Sequence, residues 1–302
     1  MSKTKTNLML LVTALIWGMA FVAQKIGMEH LGPFSFNAIR NLIGAAVLLP
    51  VIAILDRQRS KMNLPRATWK QKDLWVGGIL CGIFLCIGST LQQFALKSSA
   101  VGKVGFITAL YILFVPILGL FLKKHVDRKV WFGVALAVVG MYLLCVTDGF
   151  SLAPSDLMTL LCAFAFSFQI LTIDHFSPKV DGVRMSCIQF LISGMICFVP
   201  MVSLETPKLT DILAGWAPIL YAGILSCGVA YTLQIVAQKH AEPTIASLLM
   251  SLESVFSVIG GWLILGQVLS ARELFGCALM FGAVILAQLP GRKRQAASSA
   301  KS

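Results

Sequence analysis

Charged residues are scarce in this sequence. Only 13% of the 302 residues are Asp, Glu, Lys or Arg, whereas 57% are hydrophobic and the mean hydropathy is +0.84. An ordinary soluble domain contains about 25% charged residues. A soluble chain of this composition would have too little polar surface to present to water, so we predict a membrane protein.

The sequence also lacks the motifs of enzymes and metal sites. It contains no H-E-x-x-H, no G-x-S-x-G, no paired aspartates and no phosphate-binding Gly-rich loop with a lysine. The four histidines are scattered, and no C-x-x-C or Cys/His cluster occurs. We therefore predict no enzymatic activity, no cofactor and no metal site. The eight cysteines all fall within apolar blocks, so we interpret them as small buried residues.

Ten apolar blocks of about 20 residues run through the chain, the length a helix needs to cross about 30 Å of hydrocarbon. The first block is too long for a cleaved signal and no A-x-A site closes it, so we count it as helix 1. The blocks, numbered as segments 1 to 10, are residues 8–28, 33–55, 72–96, 100–122, 129–147, 154–174, 183–204, 215–238, 243–265 and 271–290. They predict an all-α membrane protein with ten transmembrane helices.

Lys and Arg are distributed unevenly between the connections. With a cytoplasmic N-terminus, 19 of the 25 fall on the cytoplasmic side and five on the outside, and Arg40 lies within segment 2. Such an excess marks cytoplasmic loops. Both termini are therefore predicted to be cytoplasmic. The same distribution accounts for the net charge of +12 without a nucleic-acid partner.

The second half of the chain repeats the first. "LQQFALKSSAVGKVGFITALYILF", which starts at Leu91, aligns with "LQIVAQKHAEPTIASLLMSLESVF", which starts at Leu233, at an offset of 142 residues. Each half thus holds five segments, and an odd number makes the second half enter the membrane upside down. Such inverted repeats are typical of secondary transporters. We divide the chain into a first repeat (1–149), a second, inverted repeat (150–291) and a basic cytoplasmic tail (292–302).

Four motifs resemble the drug/metabolite transporter superfamily, specifically its EamA-type members. They are "ALIWGMAFVAQK" (14–25), "FNAIRNLIGA" (36–45), "SLESVFSVIGGWLILGQ" (251–267) and "LFGCALMFGAVIL" (274–286). The resemblance implies a carrier of the inner membrane, often an exporter of amino acids or other small metabolites. It also implies a substrate cavity between helices 1–4 and 6–9, with helices 5 and 10 at the periphery.

Two positions depart from the family pattern. Ser254 stands where a proline often follows the glutamate of helix 9, and Gln267 stands where a second glutamate often ends that helix. Because Gln267 cannot titrate, any proton role of that second acid is absent. The missing proline predicts a straighter helix 9.

Glu253 is an acid in the middle of an apolar segment, and the offset of 142 pairs it with Tyr111. A carboxylate at that depth is costly unless it faces protein or a water-filled cavity. It can contact substrate, carry a proton, or tie helix 9 to a neighbour in its neutral form. Arg40 is the other charge within a segment; it suits a substrate carboxylate, although its long stem can also reach the outer headgroups or a carbonyl.

Polar and aromatic side chains elsewhere in the segments complete the predicted site, with packing or hydrogen bonds between helices as the alternative role. The candidate substrate-binding residues are Trp17, Gln24, Asn37, Arg40, Gln92, Tyr111, Gln169, Tyr231, Gln234 and Glu253. Pro116 should kink helix 4, and it is a candidate bending point together with Gly260 and Gly261.

These features favour a secondary transporter or facilitator for a small metabolite, working as a monomer or homodimer in the lipid bilayer of the cytoplasmic membrane. A lipid or lipid-linked sugar carrier on the same fold is the alternative within transport. A non-transporting membrane sensor is a further alternative, which cellular uptake or efflux would separate from a carrier.

The charge distribution yields the first prediction. Single cysteines at Gln58 and Ser298 should not react with a membrane-impermeant thiol reagent added to intact cells, because both positions are expected in the cytoplasm. Labelling after the cells are made permeable controls for reactivity. Efficient labelling of either cysteine from outside would contradict the inverted-repeat topology.

Overall fold

The computed structural model describes residues 1–63, 68–122, 128–145, 153–266 and 270–288, and all secondary structure in these ranges is helical. Ten helices follow the ten predicted segments. They are α1 (Lys3–Gly27), α2 (Pro33–Lys61), α3 (Lys72–Ser98), α4 (Val101–Phe121), α5 (Arg128–Cys145), α6 (Pro154–Phe176), α7 (Gly182–Glu205), α8 (Trp216–Gln238), α9 (Pro243–Leu265) and α10 (Ala271–Gln288). A short helix, Leu209–Ala214, lies between α7 and α8.

Eight of these helices, all except α5 and α10, are long and apolar enough to cross a membrane by length and composition. Some helix ends run past the predicted apolar blocks, most clearly where α1 begins at Lys3 and α2 continues to Lys61. Hydropathy marks only the part of a helix inside hydrocarbon, so polar end turns escape it.

The helix pairs follow a two-fold pattern. Helix α3 packs against α6 and α7, and α4 packs against α6. The equivalent helices of the other half, five places away in chain order, pack in the same way: α8 against α1 and α2, and α9 against α1. Three further pairs, α2 with α7, α4 with α9 and α5 with α10, map onto themselves. The direction in which each half enters a membrane stays a prediction.

Helices α4 and α9 are each broken near the middle. Segments Val101–Thr108 and Tyr111–Phe121 make up α4, while Pro243–Met250 and Glu253–Leu265 make up α9. At the breaks the N–H of Ile112 donates to the carbonyl of Ala109, and the N–H of Ser254 to that of Ser251, each at 3.1 Å. Both pairs differ by the offset of 142, so Tyr111 and Glu253 occupy equivalent positions at the start of a second segment.

The expected straight helix 9 is wrong. Although no proline follows Glu253, serine hydroxyls donate to backbone carbonyls three residues earlier, each at 2.8 Å; they belong to Ser247, Ser251, Ser254 and Ser257. Such bonds compete with the regular helical ladder and bend helices. The break in α9 thus occurs where no proline follows Glu253, beside these serine bonds.

The candidate bending residues lie within continuous segments and not at the breaks. Pro116 lies inside Tyr111–Phe121, and its missing N–H removes one bond of that segment. Gly260 packs against α1, where an added Cβ would lie 2.8 Å from Met19 Sδ. Gly261 is buried in the same segment. Their role in gating stays a prediction, and Gln267 lies outside the described residues.

Ionised side chains join α2 and α7 at both ends. At the start of α2, the carboxylate of Glu205 accepts hydrogen bonds from the backbone N–H groups of Phe34 at 3.0 Å and Ser35 at 2.7 Å. It also accepts one from the Ser35 hydroxyl at 2.6 Å. Glu205 therefore caps the positive end of α2 from the last turn of α7.

At the other end of α2, the guanidinium of Arg184 binds Asp56, with 2.6 Å between Nη2 and Oδ2. Arg59 binds Asp181 at 2.7 Å, and Asp181 also caps the start of α7. The Arg184 side chain is only 2% exposed. Its Nη1 also lies 3.6 Å from Asp181 Oδ1, so this buried cation has two acidic partners.

Close contact of α1 with α9 yields the second prediction. A Cβ on Gly18 would lie 2.7 Å from the carbonyl oxygen of Glu253 and would also meet Phe256. We expect Gly18→Ala to lower stability by about 1–3 kcal/mol through overpacking, measured as the thermal midpoint in detergent. In Gly282→Ala the nearest atom is 3.9 Å away, so that control should lose no stability. An unchanged midpoint for Gly18→Ala would contradict this contact.

Candidate functional site

A narrow cavity of about 30 Å³ lies at the centre of the bundle, between the two halves. Seven helices line it: α1 to α4, α6, α8 and α9. Its lining residues are Trp17, Ala20, Phe21, Gln24, Arg40, Gln92, Tyr111, Phe166, Gln169, Ile170, Ser226, Tyr231, Gln234 and Glu253. All of these except Trp17 are buried, so the cavity is largely closed to solvent in this conformation.

Nine of the ten candidate substrate-binding residues lie together in this cavity. They are Trp17, Gln24, Arg40, Gln92, Tyr111, Gln169, Tyr231, Gln234 and Glu253. They come from positions up to 236 residues apart along the chain. Whether they bind a substrate stays a prediction.

Asn37 does not line the cavity. It is fully buried on α2, and its side-chain Nδ2 donates to the hydroxyl of Thr90 on α3 at 3.4 Å. Asn37 lies three residues before Arg40, on the same side of α2, yet the two side chains have different contacts. Arg40 turns to the cavity while Asn37 turns to α3.

Arg40 brings a cation into the cavity. It is 3% exposed, its guanidinium carbon lies 5.8 Å from the ring centre of Phe36, and its Nε has no hydrogen-bond partner. In the described part of the chain it forms no ion pair. A buried guanidinium without a counter-ion is costly, so the cavity is suited to an anionic group.

Glu253 brings a carboxyl group into the same cavity and interacts with the hydroxyl of Tyr111. It is 4% exposed, and neither its Oε1 nor the Tyr111 hydroxyl makes a hydrogen bond of good geometry. Among the described residues Glu253 has no cationic partner. The cavity therefore contains a guanidinium on α2 and a carboxyl group on α9, and among the described residues neither has an oppositely charged partner.

Aromatic rings form part of the cavity wall. The rings of Trp17 and Tyr231 lie 4.5 Å apart with 55° between their planes, and Phe190 packs against Tyr231 at 5.6 Å. The Trp17 Nε1 has no hydrogen-bond partner. With Phe21 and Phe166 these rings offer flat apolar surfaces beside a few polar groups, as is typical of small-molecule sites.

Glutamines supply neutral hydrogen-bonding groups. Two are held by protein: Gln92 donates to Thr108 at 3.2 Å, and Gln169 donates to Gln189 at 3.3 Å. By contrast, both amide atoms of Gln234 and the Oε1 of Gln24 are buried without a partner. Buried polar atoms normally have a partner, so these groups are suited to a bound ligand.

Five lining residues were not predicted: Ala20, Phe21, Phe166, Ile170 and Ser226. Phe21 shares a face of α1 with Trp17 and Gln24, and Phe166 precedes Gln169 by three residues, so helical spacing could have found both.

Helical spacing could not have found Ser226. It lies in Tyr221–Tyr231, a π-helical part of α8 in which hydrogen bonds join residues five apart, and it precedes Tyr231 by five residues. The hydroxyl of Thr13 on α1 donates at 3.2 Å to the carbonyl of Ala230 in this segment.

The described residues contain no group of three or more His, Cys, Asp or Glu that could hold a metal ion. The six cysteines that the structure describes in full are buried and carry no disulfide. The cavity brings together a guanidinium, a carboxyl group, neutral amides and aromatic walls.

Comparison with known proteins identifies relatives along the whole chain. The EamA-like transporter family matches residues 4–146 and again residues 153–289. An uncharacterized transporter of Archaeoglobus fulgidus is 29% identical, covering 94% of this chain and 85% of its own. A probable amino-acid metabolite efflux pump of Salmonella typhimurium is 23% identical, covering 97% of this chain and 98% of its own.

The fold also occurs among solved structures. One, titled "Crystal structure of protein", superposes with a TM-score of 0.77 at 22% identity, covering 97% of this chain and 99% of that one. This likeness concerns the fold alone.

Closure of the cavity yields the third prediction. In a variant without native cysteines, a cysteine at Gln234 should react with a small, charged thiol reagent in water, because the cavity must open during transport. A cysteine at Leu191, whose side chain is exposed on the outside of α7, should react only with an apolar reagent. The comparison extends to cysteines at Trp17, Gln92, Tyr111 and Tyr231. If all five cavity positions stay inert, the cavity is sealed packing and not a site.

Proposed function

Because this chain belongs to the EamA-like transporter family, we propose that it is a secondary transporter or facilitator that exports a small zwitterionic metabolite, an α-amino acid. The proposal includes ten membrane crossings in the cytoplasmic membrane and cytoplasmic termini. Substrate would bind in the central cavity and leave by alternating access. No ATP-binding motif is present in the sequence, which favours a gradient-driven or passive process.

One observation carries the choice of substrate class. Arg40 and Glu253 line the same cavity, both are buried, and among the described residues neither has a counter-ion. An α-amino acid brings one carboxylate and one ammonium. The planar guanidinium matches a carboxylate, and the Glu253 carboxylate matches the ammonium. A zwitterion would thus neutralise both buried charges at once.

The remaining walls favour an uncharged, apolar side chain. Trp17, Phe21, Phe166 and Ile170 line the cavity with apolar surface, and the described lining contains no further ionisable acid or base apart from the two tyrosines. Burial of a hydrophobic side chain against these rings would add to affinity. Phenylalanine and leucine are therefore the first compounds to test.

Export as the direction rests on similarity in name only. The relative from Salmonella typhimurium is called a probable amino-acid metabolite efflux pump.

The broken helices α4 and α9 and the π-helical part of α8 all line the cavity, and discontinuous helices at the bilayer midplane are typical of transporter binding sites.

A ligand series tests the substrate class. Ligand binding to purified protein should raise the thermal midpoint, because it stabilises the folded state. We expect a larger shift with L-phenylalanine than with phenethylamine, which lacks the carboxylate, or with 3-phenylpropionate, which lacks the ammonium. Counterflow of labelled phenylalanine into proteoliposomes then separates a carrier from a sensor. Equal shifts for all three compounds would contradict zwitterion recognition.

Variants of the two charged residues yield the fourth prediction. Glu253→Gln should weaken phenylalanine binding by about 1.5–3 kcal/mol, the contribution of a hydrogen bond to a charged group, and leave phenylpropionate binding unchanged. Arg40→Gln should weaken phenylalanine binding similarly and leave phenethylamine binding unchanged.

Glu242→Gln is the matched control, since Glu242 is exposed at the start of α9, outside the cavity. Its binding should be that of the wild type. A folded Glu253→Gln protein with unchanged affinity would exclude the ammonium contact. If that protein also lost uphill transport in a pH gradient, Glu253 would instead carry a proton.

A further inference from the structure

Two cysteines from different halves of the chain meet in the bundle, outside the central cavity. Cys86 lies on α3 and is 7% exposed, while Cys197 lies on α7 and is fully buried. Their sulfur atoms are 3.4 Å apart, and they are 111 residues apart in sequence. A covalent S–S bond measures about 2.05 Å, so bond formation requires the two sulfurs to approach by a little over 1 Å.

A short chain of polar groups points at Cys197. The hydroxyl oxygen of Thr90 lies 3.6 Å from its sulfur, and the same oxygen accepts a hydrogen bond from Asn37 at 3.4 Å. Because Asn37 supplies that donor, the hydroxyl hydrogen of Thr90 is available to Cys197. A donor at the sulfur stabilises the thiolate, which is the reactive form of cysteine. Asn37, the one candidate site residue outside the cavity, thus has a place beside the thiols.

We propose that Cys86 and Cys197 form a redox-active dithiol, a modification site for membrane-permeant peroxides. The Cys197 thiolate attacks hydrogen peroxide, the O–O bond breaks, and a sulfenic acid and hydroxide form. The Cys86 thiol then attacks that sulfur, forming the S–S bond and releasing the sulfenic oxygen as water. In total, two thiols and one peroxide give one disulfide and two waters, with sulfur oxidised and oxygen reduced.

The disulfide would join the two halves beside the cavity. Cys86 precedes the cavity residue Gln92 by six residues on α3, and Cys197 belongs to the second half. In inverted-repeat transporters, alternating access moves one half against the other. The disulfide would therefore hold the halves together and stop transport. This consequence rests on the proposed function, whereas formation of the bond does not.

The bond is tested on full-length protein purified with reductant, freed of it and treated with hydrogen peroxide. We expect the free thiols in denatured protein to fall from eight to six, and mass spectrometry to find one cross-linked peptide pair that contains Cys86 and Cys197. Both Cys86→Ser and Cys197→Ser should abolish the cross-link. Cys81→Ser, one turn and a half earlier on α3, is the matched control and should keep it.

Three results would overturn the site. They are a constant count of eight thiols, a cross-link between other cysteines, or sulfinic acid on the two cysteines with no cross-link.

Thr90→Val keeps the shape of the side chain without its hydroxyl. It should slow formation of the disulfide by about tenfold or more, as expected for the loss of a hydrogen bond to a charged acceptor. An unchanged rate would exclude the proposed role of Thr90.

The consequence is tested by counterflow of labelled phenylalanine in proteoliposomes. Peroxide should reduce the wild-type counterflow rate to that of protein-free liposomes, and dithiothreitol should restore it. The counterflow rate of Cys86→Ser should change with neither reagent. Cross-linked protein with an undiminished rate would refute the arrest. Absence of counterflow before oxidation would instead contradict the proposed function and leave the disulfide result intact.

Discussion

A backbone N–H or C=O without a partner costs several kcal/mol in hydrocarbon, and this constraint decides where the helices can be irregular. The breaks in α4 and α9 and the π-helical part of α8 all lie at the cavity. In α9 serine hydroxyls donate to carbonyls around the break, and in α8 the hydroxyl of Thr13 on α1 donates to the carbonyl of Ala230. Three irregular stretches therefore face the cavity, while a fourth, the π-helical Met201–Glu205, ends α7 outside it.

The same irregularity places the functional groups. Tyr111 and Glu253 begin the second segments of the two broken helices, at positions that the offset of 142 makes equivalent. One half thus supplies a phenol and the other a carboxyl at corresponding points. Arg40 has no such counterpart, because "NAIRNLIGA" (37–45) in the first half aligns with "SCIQFLISG" (186–194) in the second, which places Gln189 there. Gln189 accepts a hydrogen bond from Gln169. The helices are thus arranged with two-fold symmetry, but the cavity between them is asymmetric, with Arg40 in one half and Glu253 in the other.

Charged side chains that join α2 to α7 have partners, whereas those that line the cavity have no counter-ion in the described part of the chain. The carboxylates of Glu205, Asp56 and Asp181 have cationic or N–H partners that join α2 to α7 at both ends. Arg40 and Glu253 have no such counter-ions among the described residues. Paired charges hold the ends of the bundle together, while the unpaired ones leave bonding capacity for a ligand.

The sequence by itself determined the all-helical class, the approximate bounds of the helices and nine residues of the cavity, because hydropathy, a repeat offset and rare polar residues in apolar segments are all local signals. Only the tertiary structure decided that Asn37 turns to Thr90, that α9 breaks without proline, that Ser226 reaches the cavity through a π-helical segment, and that Cys86 meets Cys197. These depend on which helix packs beside which and at what rotation. Regular spacing along one chain carries no information about a neighbour that lies more than a hundred residues away, since contact between helices is set by packing in three dimensions.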